Sequence, residues 1–341
     1  MLRRPVRDAV RVPAPEDSAA EPAAKRRRRL GGRLSTGFLV LFALVLLGIA
    51  ALRVTGIDGV AATVPAVTLT PYVVPGGLLL ALVALVLRRR VLAVVALVPA
   101  LVVAPLMLPR MVGNDQPAAR GARVRVLSAN VNKGGADVAA LLDLVRTGSV
   151  DVLNVLELTT ELLPRLDAAG LAELLPYRVV DPTAGGDGSG IFSRFPLRQV
   201  VVTPFDDLTQ SAAVVDLPGP NDLEDVAVHV QSASHGSADA WRAELGRLPG
   251  TRPERVRVLA GDFNSTLDHA AFRRLIADGG YVDAAEQTGD GLAATWSSLL
   301  GPPITIDHVL ADHRCAVADF AVHDLPGSDH NAVFADLALP S

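Results

Sequence analysis

A chain of 341 residues has room for about two structural units, and with half of its residues hydrophobic and only 4% aromatic it is richer in Ala, Val and Leu than an ordinary soluble domain. A single cysteine, Cys315, excludes an internal disulfide framework. The net charge of −4 joins a basic N-terminal arm to an acidic remainder, and the apolar excess lies in the first third of the chain.

Residues 1–35 are polar, Pro- and Ala-rich and strongly basic, with the run AKRRRRLGGR near their end and no helical or strand period, and they are expected to be a disordered cytoplasmic arm. Residues 36–52 carry no charge over 17 positions, about the minimum that crosses a hydrocarbon core of roughly 30 Å. Two further apolar stretches, residues 64–87 and 91–108, are separated only by Arg88–Arg90, which forces an antiparallel hairpin. Pro71, Pro75, Pro99 and Pro105 fall inside them, and proline is tolerated where neighbouring helices satisfy the freed carbonyls. The expectation is three spans, with the bilayer itself as a partner.

Lys25–Arg29, Arg33 and the Arg88–Arg90 turn are the basic clusters near span ends, whereas the loop after the first span has only Arg53. The positive-inside rule puts arm and turn in the cytoplasm, so a multi-pass cell-membrane protein with everything after Leu108 on the outer face is expected. The position of the arginine run beside an apolar span argues against a nuclear or nucleic-acid signal, and the long arm and two later apolar stretches argue against a cleaved signal peptide.

After a linker at 109–122, residues 123–341 alternate short β-rich runs with amphipathic segments. VRVLSA, VDVLNVLE, YRVVD, GIFSR, RQVVVT, SAAVVDL, EDVAVHVQS, RVRVLAGD, ITIDHVLA and NAVFADL read as strands. ADVAALLDLVRT, SADAWRAELGRL and LDHAAFRRLIADG read as helices, with Leu141, Leu142 and Val145 spaced for one buried face. This mixture indicates the α/β class, in layers.

Six of the strands carry a polar group at or near one end: Asn130, Glu157, His229, Asp262 with Asn264, Asp307, and the Asp329–His330 pair. Strand ends are where α/β proteins assemble sites. Any one of these residues alone is more often a satisfied polar terminus; six together are not. Carboxylate and amide oxygens suit a hard cation such as Mg²⁺, and two imidazoles supply proton transfer near neutral pH.

The segments LSANVN, LNVLE, SGIFSR, VHVQSAS, LAGDFNS, ATWSS, TIDHVLA and GSDHNAV, in this order, resemble the endonuclease/exonuclease/phosphatase superfamily, which includes pancreatic deoxyribonuclease, apurinic endonucleases, sphingomyelinases and inositol polyphosphate phosphatases. The resemblance spans Val124 to Leu339. It implies a four-layer α/β/β/α sandwich and a Mg²⁺- or Mn²⁺-dependent phosphoesterase. Residue by residue, it implies Glu157, Asn130 and Asp329 at the metal, with Asn130 also near substrate. Asp262 and Asn264 would orient the attacking water and grip the phosphate. His330 would be general base or phosphate-polarising imidazole with Asp307 as its partner, and His229 would act from the leaving-group side. Three positions depart from the pattern: Leu156 stands where the family often has Gln, Gln231 and Ser232 where it often has Pro, and Asn132 where the apurinic branch is acidic.

From Gly121 onward there are 16 Lys and Arg against 30 Asp and Glu, a net charge of −14, which argues against binding duplex DNA through many phosphates. Arg194 in FSRFP is a candidate phosphate contact and Trp296 in ATWSS a candidate site wall. Three readings stay open: a membrane-anchored phosphodiesterase or nuclease; a phospholipid or sphingomyelin phosphodiesterase, or a phosphatase; and a non-catalytic envelope protein that keeps the fold. The substrate is thus a phosphodiester of nucleic-acid, lipid-headgroup or small-molecule type, with no obligate protein partner evident.

Overall fold

The structure, a computed structural model, describes residues 20–202, 210–219, 221–233, 237–298 and 301–341. The chain begins with helices α1 (Ala20–Thr55), α2 (Thr63–Thr68), α3 (Val73–Val86), α4 (Arg90–Met107) and α5 (Pro109–Val112). Of the arm expected to be disordered, residues 1–19 lie outside the described residues. From Ala20 the arm is helical and continuous with the first apolar segment. Ala, Lys and Arg are strong helix formers, so a helix nucleated in the apolar run propagates back through them.

Among the described residues two helices are long and apolar enough to cross a membrane, Leu34–Thr55 within α1 and α4, with mean hydropathies of 2.5 and 2.3. The expected middle span, residues 64–87, is not a third. It breaks at Leu69, passes through a 3₁₀ turn at Thr70–Tyr72 and resumes as α3, leaving the shorter apolar segment Thr70–Val86. Pro71 is the cause, since it has no N–H to continue the ladder from α2 and its fixed φ suits the start of a new turn. The α3 helix still packs closely against α4: a Cβ on Gly77 would lie 2.8 Å from the Ala96 carbonyl oxygen and 2.9 Å from the Ala100 Cβ. The outward faces are apolar, with Phe38, Leu79 and Leu101 standing 65%, 63% and 69% exposed.

The rest of the chain forms two six-stranded sheets. The first takes β1 (Arg123–Asn130), β2 (Val152–Leu156), β3 (Tyr177–Asp181), β4 (Ser189–Ser193), β11 (Ala316–His323) and β12 (Ala332–Ala338) in the order β11-β12-β1-β2-β4-β3. The second takes β5 (Leu197–Gln199), β6 (Ala212–Val215), β7 (Leu223–His229), β8 (Val256–Asp262), β9 (Tyr281–Asp283) and β10 (Asp307–Asp312) in the order β5-β6-β7-β8-β10-β9. Each sheet has one parallel pair, β1 with β2 and β7 with β8, flanked by antiparallel neighbours. Each parallel pair needs a crossover, supplied by α6 (Val138–Thr147) in one sheet and α9 (Ala238–Arg247) in the other. Helices α7 (Leu162–Ala168), α8 (Leu171–Leu174), α10 (Ala270–Gly279) and α11 (Ala284–Thr288) complete the chain.

Strand alternation divides the apolar residues among three buried clusters. Val152 and Leu156 of β2 join Val258 and Ala260 of β8 in a cluster shared by the two sheets. Leu153 and Val155 turn the other way onto Leu141, Leu142 and Val145 of α6, and Val226, Val228 and Leu259 turn onto Trp241 of α9 and Phe272 of α10. Strands covered on both faces read as near-continuous apolar runs, as VLNVL does with Asn154 as its one polar residue.

Candidate active site

Strand register gathers the polar ends. In the first sheet Asn130 pairs with Leu156, so Glu157 emerges beside it. In the second, His229 pairs with Asp262 and Asp262 with Asp307, a row across three adjacent strands. Gly261 makes that row possible: β8 runs so close to β7 that a Cβ there would lie 1.9 Å from the Val228 carbonyl oxygen. His330 arrives from the start of β12.

Asp262 is the hub. Its Oδ2 accepts from Asn130 Nδ2 at 3.3 Å and lies 3.7 Å from His330 Nε2 and 3.9 Å from His229 Nε2. Its Oδ1 accepts the Asn264 N–H at 2.8 Å, and the Asn264 side chain donates to the Val230 carbonyl at 2.8 Å. Asp307 takes His330 Nδ1 at 2.9 Å and 3.1 Å with its two oxygens. Glu157 Oε1 accepts from Asn130 Nδ2 at 3.1 Å and Oε2 accepts the Lys133 N–H at 2.9 Å. Glu157 and Asn264 hold the left-handed backbone conformation, at φ 57° and 45°. Strain of this kind persists where surrounding contacts over-determine a side chain's aim.

Burial sets the electrostatics. Asp262 is pushed up to about 7, first by burial and then by the neighbouring carboxylates of Asp307 and Glu157, with His330 opposing. The two imidazoles separate. Burial alone lowers His330, but Asp307 and Asp262 outweigh it and push it up to about 10, whereas burial dominates at His229 and lowers it. One imidazole is therefore cationic and the other neutral near pH 7, the division of labour an acid–base pair requires. His229 Nδ1 is buried without a hydrogen-bond partner among the described residues.

Asn130, Glu157, His229, Asp262, Asn264, Asp307 and His330 are thus brought together, while two expected members are placed elsewhere. Arg194 is the first. Its guanidinium lies 3.0 Å from Asp151 Oδ1 and donates to the Val150 carbonyl, beyond Ser193. Because β4 is antiparallel to β2, with Ser189 opposite Leu156 and Ser193 opposite Val152, Arg194 sits at the end of the sheet away from Glu157. Asp329 is the second: it is exposed, and its Oδ2 accepts the Trp296 indole N–H at 3.0 Å. Asp329 lies in the bend before β12, so its carboxylate stays at the site's edge on the Trp296 side, where its charge still helps to raise His330. Asn130 also differs from expectation. Its amide N–H groups face Glu157 and Asp262 and its Oδ1 accepts the Asn132 N–H at 3.0 Å, so it spaces two carboxylates instead of offering a ligand oxygen.

Trp296 does form a wall, bridged by its backbone to Ile304 and His330, with its ring 6.5 Å from the His330 imidazole. Supports that the sequence reading missed are Ser328, Thr295 and Gln210. Ser328 Oγ donates to the Asn130 carbonyl at 2.8 Å and accepts the His330 N–H at 3.0 Å. Thr295 Oγ1 accepts the Asp307 N–H at 2.9 Å, and Gln210 Oε1 accepts the His229 N–H at 2.8 Å. Ser328 had a signal in the Gly-Ser turn; the other two act across long sequence separations and had none.

The donors fit a hard divalent cation. Asp262, Asp307 and His330 bring ligand atoms within 4.8 Å of one another. Asp307 spends both oxygens on His330, so the carboxylate that suits such an ion is Glu157, beside Asp262. A bound cation would neutralise phosphate oxygens.

Two sheets that deliver an acid–imidazole pair, a hub carboxylate and a second imidazole to one rim define a phosphoester-hydrolase class of α/β fold. The chain belongs to the endonuclease/exonuclease/phosphatase family, whose model matches residues 127–330. An endonuclease/exonuclease/phosphatase from Beutenbergia cavernae is similar at 20% identity and TM-score 0.51, over 64% of this chain and 72% of that one. A truncated Caenorhabditis elegans TDP2 matches at 16% identity and TM-score 0.51 over 63% and 97%, and a D. rerio TDP2 in complex with a single-strand DNA product at 15% and 0.50 over 63% and 99%. At these identities the likeness speaks for the fold. No curated protein sequence matches the chain.

Proposed function

We propose that the chain is a membrane-anchored, Mg²⁺- or Mn²⁺-dependent phosphodiesterase whose catalytic domain lies outside the cytoplasmic membrane. The single observation that carries the reaction is the convergence of His330, His229, Asn130 and Asn264 on Asp262. Asp262, held by the Asn264 N–H and raised toward neutrality, accepts the proton of the attacking water. His330, charged and aimed by Asp307, polarises the phosphate. His229 works from the opposite side on the leaving oxygen, and Glu157 is the principal carboxylate for the cation. The three buried clusters support a four-layer α/β/β/α arrangement. Although α3 is too short to count as a span by itself, it packs along α4 and returns the chain. Both α1 and α4 therefore end beside the domain, at Arg53 and Arg110, and the Arg88–Arg90 turn lies at the opposite end, which supports the outward orientation under the positive-inside rule.

One observation favours a substrate carried by the bilayer. The loop that leaves the site after Asn264 reaches Asp268 within four residues, and Asp268 is gripped by Arg53 of α1 and Arg110 of α5. Tyr72 Oη donates to the Pro303 carbonyl at 2.5 Å, beside Ile304, which pairs with Trp296. The catalytic rim is thereby tied to the apolar helices, and with a domain charge of −14 this setting favours a lipid-headgroup phosphodiester over duplex DNA. The test is to assay the purified full-length chain against an aryl phosphodiester, plasmid DNA and phospholipid vesicles with Mg²⁺ or Mn²⁺, alongside His330→Ala. Turnover of vesicles above plasmid supports the lipid reading, the reverse order overturns it, and no metal-dependent turnover of any of the three overturns the phosphodiesterase reading.

A further inference from the structure

A second cluster of charge lies where the apolar helices meet the domain, outside the catalytic rim. Three guanidiniums converge there: Arg53 at the end of α1, Arg110 in α5 and Arg273 in α10. Arg53 Nε lies 2.8 Å from Asp268 Oδ1, and Arg110 reaches the two oxygens of the same carboxylate at 2.9 Å and 3.1 Å. Arg273 has no such partner. Its guanidinium donates to the carbonyl oxygens of Leu267 and Asp268, and among the described residues no carboxylate lies within ion-pair distance of it.

These three arginines line one cavity of about 270 Å³, together with Leu106 from the last turn of α4, Ile276 of α10 and Glu286 of α11. Burial and then the neighbouring Arg53 and Arg110 push the Arg273 guanidinium down to about 10, more than the charges of Asp268 and Asp58 offset. Glu286 is the one acid in the lining, and burial followed by Asp283 raises its carboxyl. The apolar part of the lining is Leu106, Leu267, Ile276 and Ala277.

A cavity with an unneutralised guanidinium on one side and apolar wall on the other, at the end of two helices that can cross a bilayer, matches one chemistry. Guanidinium forks recognise phosphate oxygens, and basic pockets at membrane-helix ends recognise lipid headgroups. We propose that this cavity binds the phosphate of an anionic phospholipid headgroup, with Arg273 as its principal ligand and Arg53 and Arg110 as flanking cations. The lipid phosphate supplies the charge that Asp268 alone does not, and it couples the anchor to the domain through the helix that begins at Ala270. The site rests on α1 and α4 lying in the membrane, not on the catalytic reading. Free inorganic phosphate shares this chemistry and serves as the competing source.

The test uses the full-length chain in detergent, with retained phosphatidylglycerol and phosphatidylcholine measured by native mass spectrometry and thermal stability measured with each lipid and with inorganic phosphate. The expected result is preferential retention of phosphatidylglycerol, lost about tenfold in Arg273→Gln and partly restored in Arg273→Lys. The neighbouring exposed Arg274→Gln should keep it. Ile276→Trp, which fills the cavity without touching charge, should also lose it, and this keeps the test decisive where Arg273→Gln folds poorly. Turnover of a soluble aryl phosphodiester should be unchanged in Arg273→Gln, so failure here is separable from failure of the catalytic proposal. Equal retention of both lipids, or full retention in Arg273→Gln and Ile276→Trp, overturns the site. Stabilisation by inorganic phosphate with no further gain from phosphatidylglycerol overturns the lipid as its source.

Discussion

Asp307 holds His330 Nδ1 with both carboxylate oxygens, at 2.9 Å and 3.1 Å, and so leaves Nε2 as the only ring nitrogen that faces Asp262. The pair is buried, with Asp307 3% and His330 6% exposed. The partner therefore fixes both orientation and charge. Asp307→Asn should keep the fold but lower kcat by about 10²–10⁴ with little change in KM, because the amide removes the charge that sustains the imidazolium. An Asp307→Asn enzyme with unaltered kcat would remove Asp307 from the mechanism.

Gly261 is required by space. A methyl group would meet the Val228 carbonyl at 1.9 Å, so Gly261→Ala must part β7 from β8 beside Asp262. A loss of about 3 kcal/mol or more in unfolding free energy is expected, together with loss of activity. Gly246→Ala, on α9 with nothing within 4 Å of the added atom, is the control and should be neutral or slightly stabilising.

Asp225 gives a pH signature independent of catalysis. It lies fully buried on β7, and burial pushes it up to about 7, with the weak hydrogen bond from Asn154 offsetting only part of the cost. The folded protein thus keeps a proton that the unfolded chain releases near pH 4, so its stabilising contribution is present in acid and is lost as pH rises toward 7. The loss approaches about 4 kcal/mol above neutrality. Asp225→Asn should be more stable than wild type at pH 8 and should remove this slope between pH 5 and 7 in denaturant titrations; an unchanged slope would contradict it.

The buried Arg110–Asp268 pair predicts a mechanical link. Arg110 and Asp268 are 3% and 1% exposed, and Asp268→Asn strips one charge from a desolvated pair. A cost of about 3–5 kcal/mol is expected at the junction. Hydrogen exchange should show it as faster opening of α10 with the strands of the first sheet unaffected.

Much of the site was legible because its residues sit at strand ends, and strand ends are marked by the change from apolar to polar sequence. Asn130, Glu157, Asp262 and His330 all follow or precede such runs. Direction was not legible. Whether Arg194 at the end of GIFSR lands beside Glu157 depends on β4 running antiparallel to β2, which chain order leaves open. Side-chain aim was lost in the same way at Asp329, where adjacency to His330 suggested a shared role and the carboxylate instead takes the Trp296 indole N–H. In the membrane region, hydropathy marked the apolar segments, but the break at Leu69–Pro71 shortened the middle one below a full span. The contacts of Arg53, Arg110 and Tyr72 with the domain join residues more than 150 positions apart and had no local signal.

The central claim is that Asp262 is the hub of a metal-dependent hydrolysis. The most direct measurement is turnover of an aryl phosphodiester by the full-length chain, with and without chelator, in wild type and Asp262→Asn. The account predicts activity that is abolished by chelation, restored by Mg²⁺ or Mn²⁺, and lowered by about 10³-fold or more in Asp262→Asn, a loss of about 4 kcal/mol of transition-state stabilisation. Wild-type turnover that persists in chelator, or a metal-activated Asp262→Asn enzyme as fast as wild type, would contradict it.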